Sequence, residues 1–522
     1  MQRLTSQHQL IAALRDPQRY PHTVRSVRVI ETHISWIVLA GKFAYKIKKA
    51  VDLGFLDYTS LSAREHFCEE ELRLNRRTAP ELYLDVVSIG GSLDAPQFGV
   101  QPAIEYAVKM RRFLDGALMD ECLRQGKVTA AHVDALASTV ALFHARAATV
   151  DLKTEFGSAA TIRAAAQQNF DQLRRLFQDA DDLRQVETLQ QTTMREWESR
   201  AALFEARRRA GCVRECHGDL HLGNIALING APVPFDCIEF SQALRWIDVM
   251  DEVAFTMMDL LQHGRSDYAW RFLNAYLEAS GDYAGVAVLH FYLAYRAAVR
   301  AKIAAIRARQ TGMAARAKVQ ALYACRRYLA LAQRCLHERR PALIITHGLP
   351  GSGKTTFAQY VIEQMGAVRI RSDVERKRLH GLQAGERSRG DIYDAAATEK
   401  TYTRLLELAR SPLQAGYPVI VDAAFLNRAE RAQFRRLTQA LSIPFAIASL
   451  HAPEADLRHR LDQRRHDASE ADVAVLEKLR KVAQPLSSTE HARTAEFSTA
   501  QAPGSRANAQ GWRKLASLLS AA

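Results

Sequence analysis

Hydrophobic and polar positions divide this chain into two stretches that follow different rules. Residues 24–31, 34–39 and 43–48 are short β-rich runs of alternating or near-alternating polarity, and Ala40-Gly41-Lys42 reads as the turn between the second and third. A helix is predicted over 62–77, with apolar positions at Phe67, Leu72 and Leu74, and further strands over 82–89 and 104–110. Residues 128–210 read as helix. Two β-like runs, 225–228 and 233–236, flank a turn, and 243–340 is helical again, broken at Thr311-Gly312. At Pro341 the pattern changes: strand-like runs at 342–347, 368–372, 419–423 and 445–450 alternate with helical stretches. That alternation predicts a parallel sheet with right-handed crossovers. The last forty residues, rich in Ser, Thr, Ala and Gln, give no clear pattern.

Length fits this division, because 522 residues are too many for one core and suit two domains or three smaller ones. The expected boundary is 336/337, with a small lobe over about 20–110 and a helical lobe over about 111–336 in the first domain. Apolar residues at 48% and charged residues at 25% exclude a mainly disordered, collagen-like or disulfide-scaffold chain. No apolar run approaches the ~18 residues of a membrane span, and the N-terminus lacks the apolar core of a signal peptide. A cytoplasmic protein without membrane contact is expected. The seven cysteines include no CxxC pair and read as reduced thiols. Of the net charge of +14, most lies in residues 291–340, which hold twelve Lys/Arg and one acid, Glu338. Such a segment is either a solvated helix face or a contact for nucleic acid, acidic lipid or a phosphorylated ligand.

Two constellations carry chemistry. The first, Gly348-Leu-Pro-Gly351-Ser352-Gly353-Lys354-Thr355, is an unbroken GxxxxGK[ST] between a strand and a helix, followed by Thr356. Its backbone N–H groups can cradle phosphates, Lys354 can reach the β/γ-phosphates, and the Thr355 hydroxyl can ligate Mg²⁺. Asp373 ends the second strand, where it can take a proton from an alcohol or cap a helix. Asp422 ends the next strand and can hold Mg²⁺ through water. Arg460, Arg464 and Arg465 share a helical stretch and can close over transferring phosphates or remain a solvated face.

The second constellation, His217-Gly-Asp219-Leu-His221-Leu-Gly-Asn224, fits HxDxxxxN, with Asp236 twelve residues further on. In a phosphotransferase loop Asp219 accepts the hydroxyl proton, Asn224 holds one Mg²⁺, and Asp236 bridges Mg²⁺ to the phosphates. Lys46 or Lys48, on one face of the third strand, should clamp the nucleotide and pair with one of Glu69, Glu70 and Glu71. The FAYK frame favours Lys46, and Glu71 is the preferred acid. A metal site from His217, Asp219 and His221 is the competing reading, with no fourth ligand indicated. Asp248 and Glu252 are expected to brace the loop.

The segments GLPGSGKTT, RSDVERKRLHG, VIVDAAFLNRAER and RHDAS resemble small P-loop kinases of the zeta-toxin, polynucleotide-kinase and gluconate-kinase type. HGDLHLGNI, FDCIEF and THISWIVLAGKFAYKIKK resemble the aminoglycoside phosphotransferase-like branch of the kinase superfamily, and the whole chain resembles bacterial fusions of the two. The resemblance implies an α+β, protein-kinase-like N-terminal domain followed by an α/β P-loop domain. It also implies ATP and Mg²⁺ at both sites, Arg376 near the acceptor, and Arg460 and Arg464 as lid arginines. The implied acceptor is an alcohol on a small molecule, a nucleotide-sugar or a nucleic-acid end. The rival expectation is an ATPase switch with a degenerate sensor domain, acting on RNA or a protein. One departure stands out: Glu31–Ser35 replaces the glycine-rich loop between the first two strands.

Overall fold

The computed structural model describes residues 2–54, 56–310, 313–337, 339–388, 392–463 and 469–520. They form two compact units, one of residues 1–139, 143–162 and 204–256, the other of 140–142, 163–203 and 257–522.

In the first unit, β1 (Val27–Glu31), β2 (Ser35–Ala40), β3 (Phe43–Lys48), β4 (Tyr83–Gly91), β5 (Pro96–Phe98) and β6 (Ala103–Arg111) build one antiparallel sheet in the order β1-β2-β3-β6-β4-β5. Gly41 makes the β2–β3 turn at φ 57°, a left-handed conformation that glycine adopts without strain. The N-terminal helix Gln2–Ala13 packs Leu10 and Ile11, with Leu14 just beyond its end, on Trp36, Val38 and Tyr45. Helix Leu61–Asn75, capped by the Ser60 hydroxyl, covers the other face. Its buried face is not the apolar set the sequence suggests. Arg64, Cys68, Glu71 and Asn75, spaced at i, i+4, i+7 and i+11, turn inward with Leu74, while Phe67 and Leu72 are only partly buried. Short β7 (Val213–Glu215) will pair with β10 (Trp246–Asp248) across an intervening hairpin, β8 (Ile225–Ile228) and β9 (Ala231–Pro234). That hairpin turns on Asn229 and Gly230, both at positive φ, the asparagine–glycine signature of a tight turn.

In the second unit, β11 (Leu343–His347), β12 (Val368–Arg371), β13 (Val419–Asp422), β14 (Phe445–His451) and β15 (Thr494–Ser498) run parallel in the order β12-β13-β11-β14-β15. The unpatterned last forty residues supply β15 and helix Ala509–Ser520, whose Trp512 packs on Phe357 and Phe497.

The compact units do not divide at 336/337. Helices Ser266–Ser280, Val286–Ala308 and Ala315–His337 belong with the parallel sheet. The reason is specific bonding. Asn274 donates to Ala367 O (2.9 Å) and accepts from the Arg369 N–H (2.6 Å), Glu278 pairs with Arg369, and the His290 ring stacks on Tyr417 at 4.1 Å. Within the basic segment, Arg326 and Arg339 pair with Asp182 and Glu196. Arg307, Arg309, Arg316 and Lys318 have no acidic partner among the described residues. No helix among them is long and apolar enough to cross a membrane.

Helix Arg428–Leu441 is pinned by Arg431, which is 1% exposed and binds both oxygens of Glu490 (2.6 and 3.2 Å). Burial raises the Glu490 carboxyl, but Arg431 and the Ser487 N–H outweigh that and hold it down to about 2. The stabilisation is therefore complete above the ordinary carboxyl range and is lost as pH falls towards 2. Arg431→Met should cost about 3 kcal/mol near neutral pH, and the cost should shrink in acid. Calorimetric melting of both proteins between pH 2 and 7 checks this.

Candidate active sites

In the first unit, strand alternation puts Lys46 and Lys48 on one face of β3, and both are buried. Both reach the same acid. Lys46 Nζ donates to Glu71 Oε1 (2.8 Å) and Lys48 Nζ to Glu71 Oε2 (2.7 Å). Lys46 also pairs with Asp236 and Lys48 with Glu239, whose Oε1 further accepts from the Tyr58 hydroxyl. Burial alone would depress both ammonium groups, yet these carboxylates push them upward. Glu69 is exposed and Glu70 pairs with Arg73 and Arg245, so Glu71 is the acid that meets the strand.

The β8–β9 hairpin explains the spacing of the second motif. Its paired strands fold the chain back so that Asn224 and Phe235 meet, with the Phe235 N–H donating to Asn224 O at 2.9 Å. Asn224 Nδ2 donates to Asp219 Oδ2 (2.9 Å), which joins Asp219 and Asn224 beside the segment that carries Asp236. Asp236 has φ 66°, uncommon for a residue with a side chain. Tyr83 OH accepts its N–H and Asn75 Oδ1 accepts that of Cys237, which holds this backbone in place. Asp236 remains 41% exposed at its side chain and Asp219 36%.

The loop is braced from below. Gly218 donates its N–H to Glu252 Oε1 (2.7 Å), and Glu252 Oε2 accepts from His144 (2.7 Å). Burial would raise the Glu252 carboxyl, but these partners keep it below its ordinary value. Asp248 binds Arg207 through both oxygens, and Glu215, just before the loop, collects Arg73, Arg77 and Arg245. His217, Asp219 and His221 do not converge as metal ligands, because His217 Nε2 donates to Phe235 O (2.8 Å). Among the described residues the group with metal-ligand spacing is His144, Cys216 and Glu252, where the histidine and the acid already bond each other.

In the second unit the site lies along the C-terminal ends of the parallel strands. The order β12-β13-β11 sets Asp373, Asp422 and the glycine-rich loop side by side there. A Cβ on Gly348 would lie 2.6 Å from Ser352 Oγ, and one on Gly351 2.8 Å from Leu457 O, both at positive φ. Ser352 Oγ is buried and has no hydrogen-bond partner among the described residues, and Lys354 Nζ donates to Gly348 O and Leu349 O. A glycine-built loop with an unspent hydroxyl and a lysine fits a phosphate-bearing ligand. Thr355 and Asp422 offer the oxygen donors that suit Mg²⁺.

A cavity of about 660 Å³ is lined by Gly351, Gly353, Lys354, Thr355 and Thr356 together with Asp373, Arg376, Tyr393, Thr398, Asp422, Glu430 and Arg460. Asp373 lies in the first turn of helix Ser372–Leu379, whose N-cap is Arg371. Arg376 is 6% exposed, donates to Ile392 O and Thr398, lies over the Tyr393 ring and has no acidic partner among the described residues. Arg460 binds Gly351 O and Thr499, while Arg464 and Arg465 lie outside the described residues. A second hollow of about 310 Å³ shares Gly353, Thr356 and Arg460 and adds Phe357, Thr499, Gln501 and Pro503.

Over 424 residues the chain is 34% identical to the uncharacterized protein Rv2004c of Mycobacterium tuberculosis, spanning 79% of this chain and 81% of that protein. The uncharacterized protein Mb2027c of Mycobacterium bovis matches to the same extent. The chain belongs to their family. Residues 343–486 match the family described as AAA domain, so the second unit contains a P-loop domain on a parallel sheet. Among solved structures, the amicoumacin kinase hAmiN, in complex with AMP-PNP, Ca²⁺ and Ami, is 11% identical and covers 63% of this chain and 94% of its own, with TM-score 0.40. A gluconokinase from Sinorhizobium meliloti is 22% identical over 35% of this chain and 95% of its own, with TM-score 0.26.

The sequence offered Lys46 or Lys48 as the partner of a helix glutamate, and Glu71 takes both. Sequence reasoning missed Tyr58, Tyr83, Asn75 and Thr499, for which no spacing gave a signal. Gly351→Ala should destabilise the chain by at least about 1 kcal/mol more than Gly381→Ala, because Gly381 has φ 70° but nothing within 4 Å of its added Cβ. Urea unfolding of the two variants measures the difference.

Proposed function

We propose that the chain is an ATP- and Mg²⁺-dependent phosphotransferase with two sites, a protein-kinase-like one in the first unit and a P-loop kinase site in the second. The observation that carries this reading is the shared cavity of the second unit, where the phosphate cradle and Asp373 line one space large enough for a second substrate. An ATPase needs room for a water, whereas a kinase needs room for an acceptor. Lys354 and Thr355 would hold the phosphates and Mg²⁺, with Asp422 as an outer ligand. Asp373 would orient or deprotonate the acceptor hydroxyl, and Arg460 would steady charge at the loop. The adjoining hollow beside Phe357 and Thr499 suits a nucleobase. Arg376, buried without an acidic partner, supports an acceptor that carries its own anionic group.

At the first site Lys46, held by Glu71, would contact the α- and β-phosphates. Asp236 and Asn224 would hold Mg²⁺, and Asp219 would take the acceptor proton. Bound Mg²⁺ would supply charge neutralisation between the phosphate oxygens. The rival reading, an ATPase switch working on RNA, is supported by Arg307, Arg309, Arg316 and Lys318; the acceptor room weighs against it.

The test is a metabolite screen with γ-labelled ATP on the full chain. Asp219→Asn and Asp373→Asn should each abolish one labelled product, by roughly 10²–10⁴-fold, and leave the other. ATP hydrolysis that persists in both variants with no labelled metabolite in the wild type would establish the switch instead. Lys354→Ala should weaken MgATP binding at the second site at least tenfold, about 1.4 kcal/mol, by titration calorimetry.

A further inference from the structure

We infer that Lys48 and Glu239 are positioning residues for the nucleotide-clamping lysine, acting through Glu71. The inference rests on the first-site reading above and adds two residues to it. Lys48 and Glu239 are both buried and neither hydrogen-bonds to Lys46; the group that joins them to it is Glu71. Its two oxygens are divided, Oε1 to Lys46 and Oε2 to Lys48.

The division matters because a carboxylate left to one ammonium can swing both oxygens onto it. With Lys48 in place, Glu71 gives Lys46 a single oxygen, and Lys46 keeps a donor for Asp236. Glu239 keeps Lys48 from being drawn wholly to Glu71, and Tyr58 fixes Glu239 with a 2.6 Å hydrogen bond. The five charges form a lattice: two lysines from one strand face, one acid from helix Leu61–Asn75, and two acids three positions apart on the segment after β9. Asp236 and Glu239 lie on one short segment, so a shift of Asp236 reaches Glu71 by a second route, through Lys48. A lattice that served only to glue the strand to this segment would not need to share one acid between two lysines.

The experiment uses the full chain with Lys354→Ala as parent, which weakens the P-loop site so that the tighter binding reports the first site. Into it go the triple change Lys48→Met, Glu239→Leu and Tyr58→Phe, and separately Glu239→Gln. The triple change replaces the inner pair with apolar groups, a replacement that buried ion pairs often tolerate. MgATP affinity by calorimetry and melting temperature are read together, below each variant's melting temperature. Positioning predicts at least a tenfold loss of affinity in the triple variant while it is folded. It also predicts affinity close to the parent's for Glu239→Gln, which keeps acceptors for Lys48 and Tyr58. Parent-like affinity in the folded triple variant overturns the inference. Should the triple variant not fold, Lys48→Gln decides by the same two outcomes. No MgATP binding by the Lys354→Ala parent would overturn the nucleotide reading itself, and this inference with it.

Discussion

Lys48 has no exposure to water, and its charge survives only because two carboxylates reach it. An ammonium buried this deeply without partners would lose its proton or unfold its surroundings, since isolated charge in a protein interior costs many kilocalories. The first unit is arranged around meeting that demand. β3 presents the lysines, helix Leu61–Asn75 must turn a glutamate inward, and the chain after β9 must return to the same spot with Asp236 and Glu239. The inward face of that helix is polar for this reason, and Arg64, which bonds Glu105, follows the same rule.

This explains how much was legible in the sequence. Motifs whose chemistry resides in local backbone could be read: the glycine-rich loop before Lys354, the turn at Gly41, and the strand–helix alternation after Pro341. Helix Leu61–Asn75 was visible as an element, but its orientation was not, because apolar periodicity pointed to Phe67 and Leu72 while ion pairing chose Glu71. The last strand and helix were hidden for the opposite reason. Thr494–Ser498 is stabilised by pairing with β14 and by the packing of its Phe497 on Phe357 and Trp512, contacts with residues outside the strand. The composition shift at Pro341 marks a change of local pattern, yet Asn274 bonds helix Ser266–Ser280 directly to the sheet beyond it. Pattern and packing therefore place a boundary differently.

The two sites solve one electrostatic problem in contrasting ways. Lys46 is matched to the carboxylates of Glu71 and Asp236, so any anion drawn to its charge would have to compete with Asp236 for it. Lys354 donates to the backbone carbonyls of its own loop, which are weaker competitors for a phosphate. In the second unit the buried Arg376 adds further positive charge to the cavity, whereas in the first Lys46 and Lys48 are met by the carboxylates of Glu71, Asp236 and Glu239.

The β8–β9 hairpin has a bearing on how relatives of this chain are to be recognised. Asn224 meets Phe235, the residue before Asp236, because the strands between them pair and turn at Asn229-Gly230, so the number of intervening residues follows the hairpin length. Lengthening both strands by matched residues would leave that meeting intact, while an unmatched insertion in one strand would rotate its end to the opposite face. Divergent homologues should therefore differ here by even numbers of residues, and a search pattern with a rigid gap would overlook them.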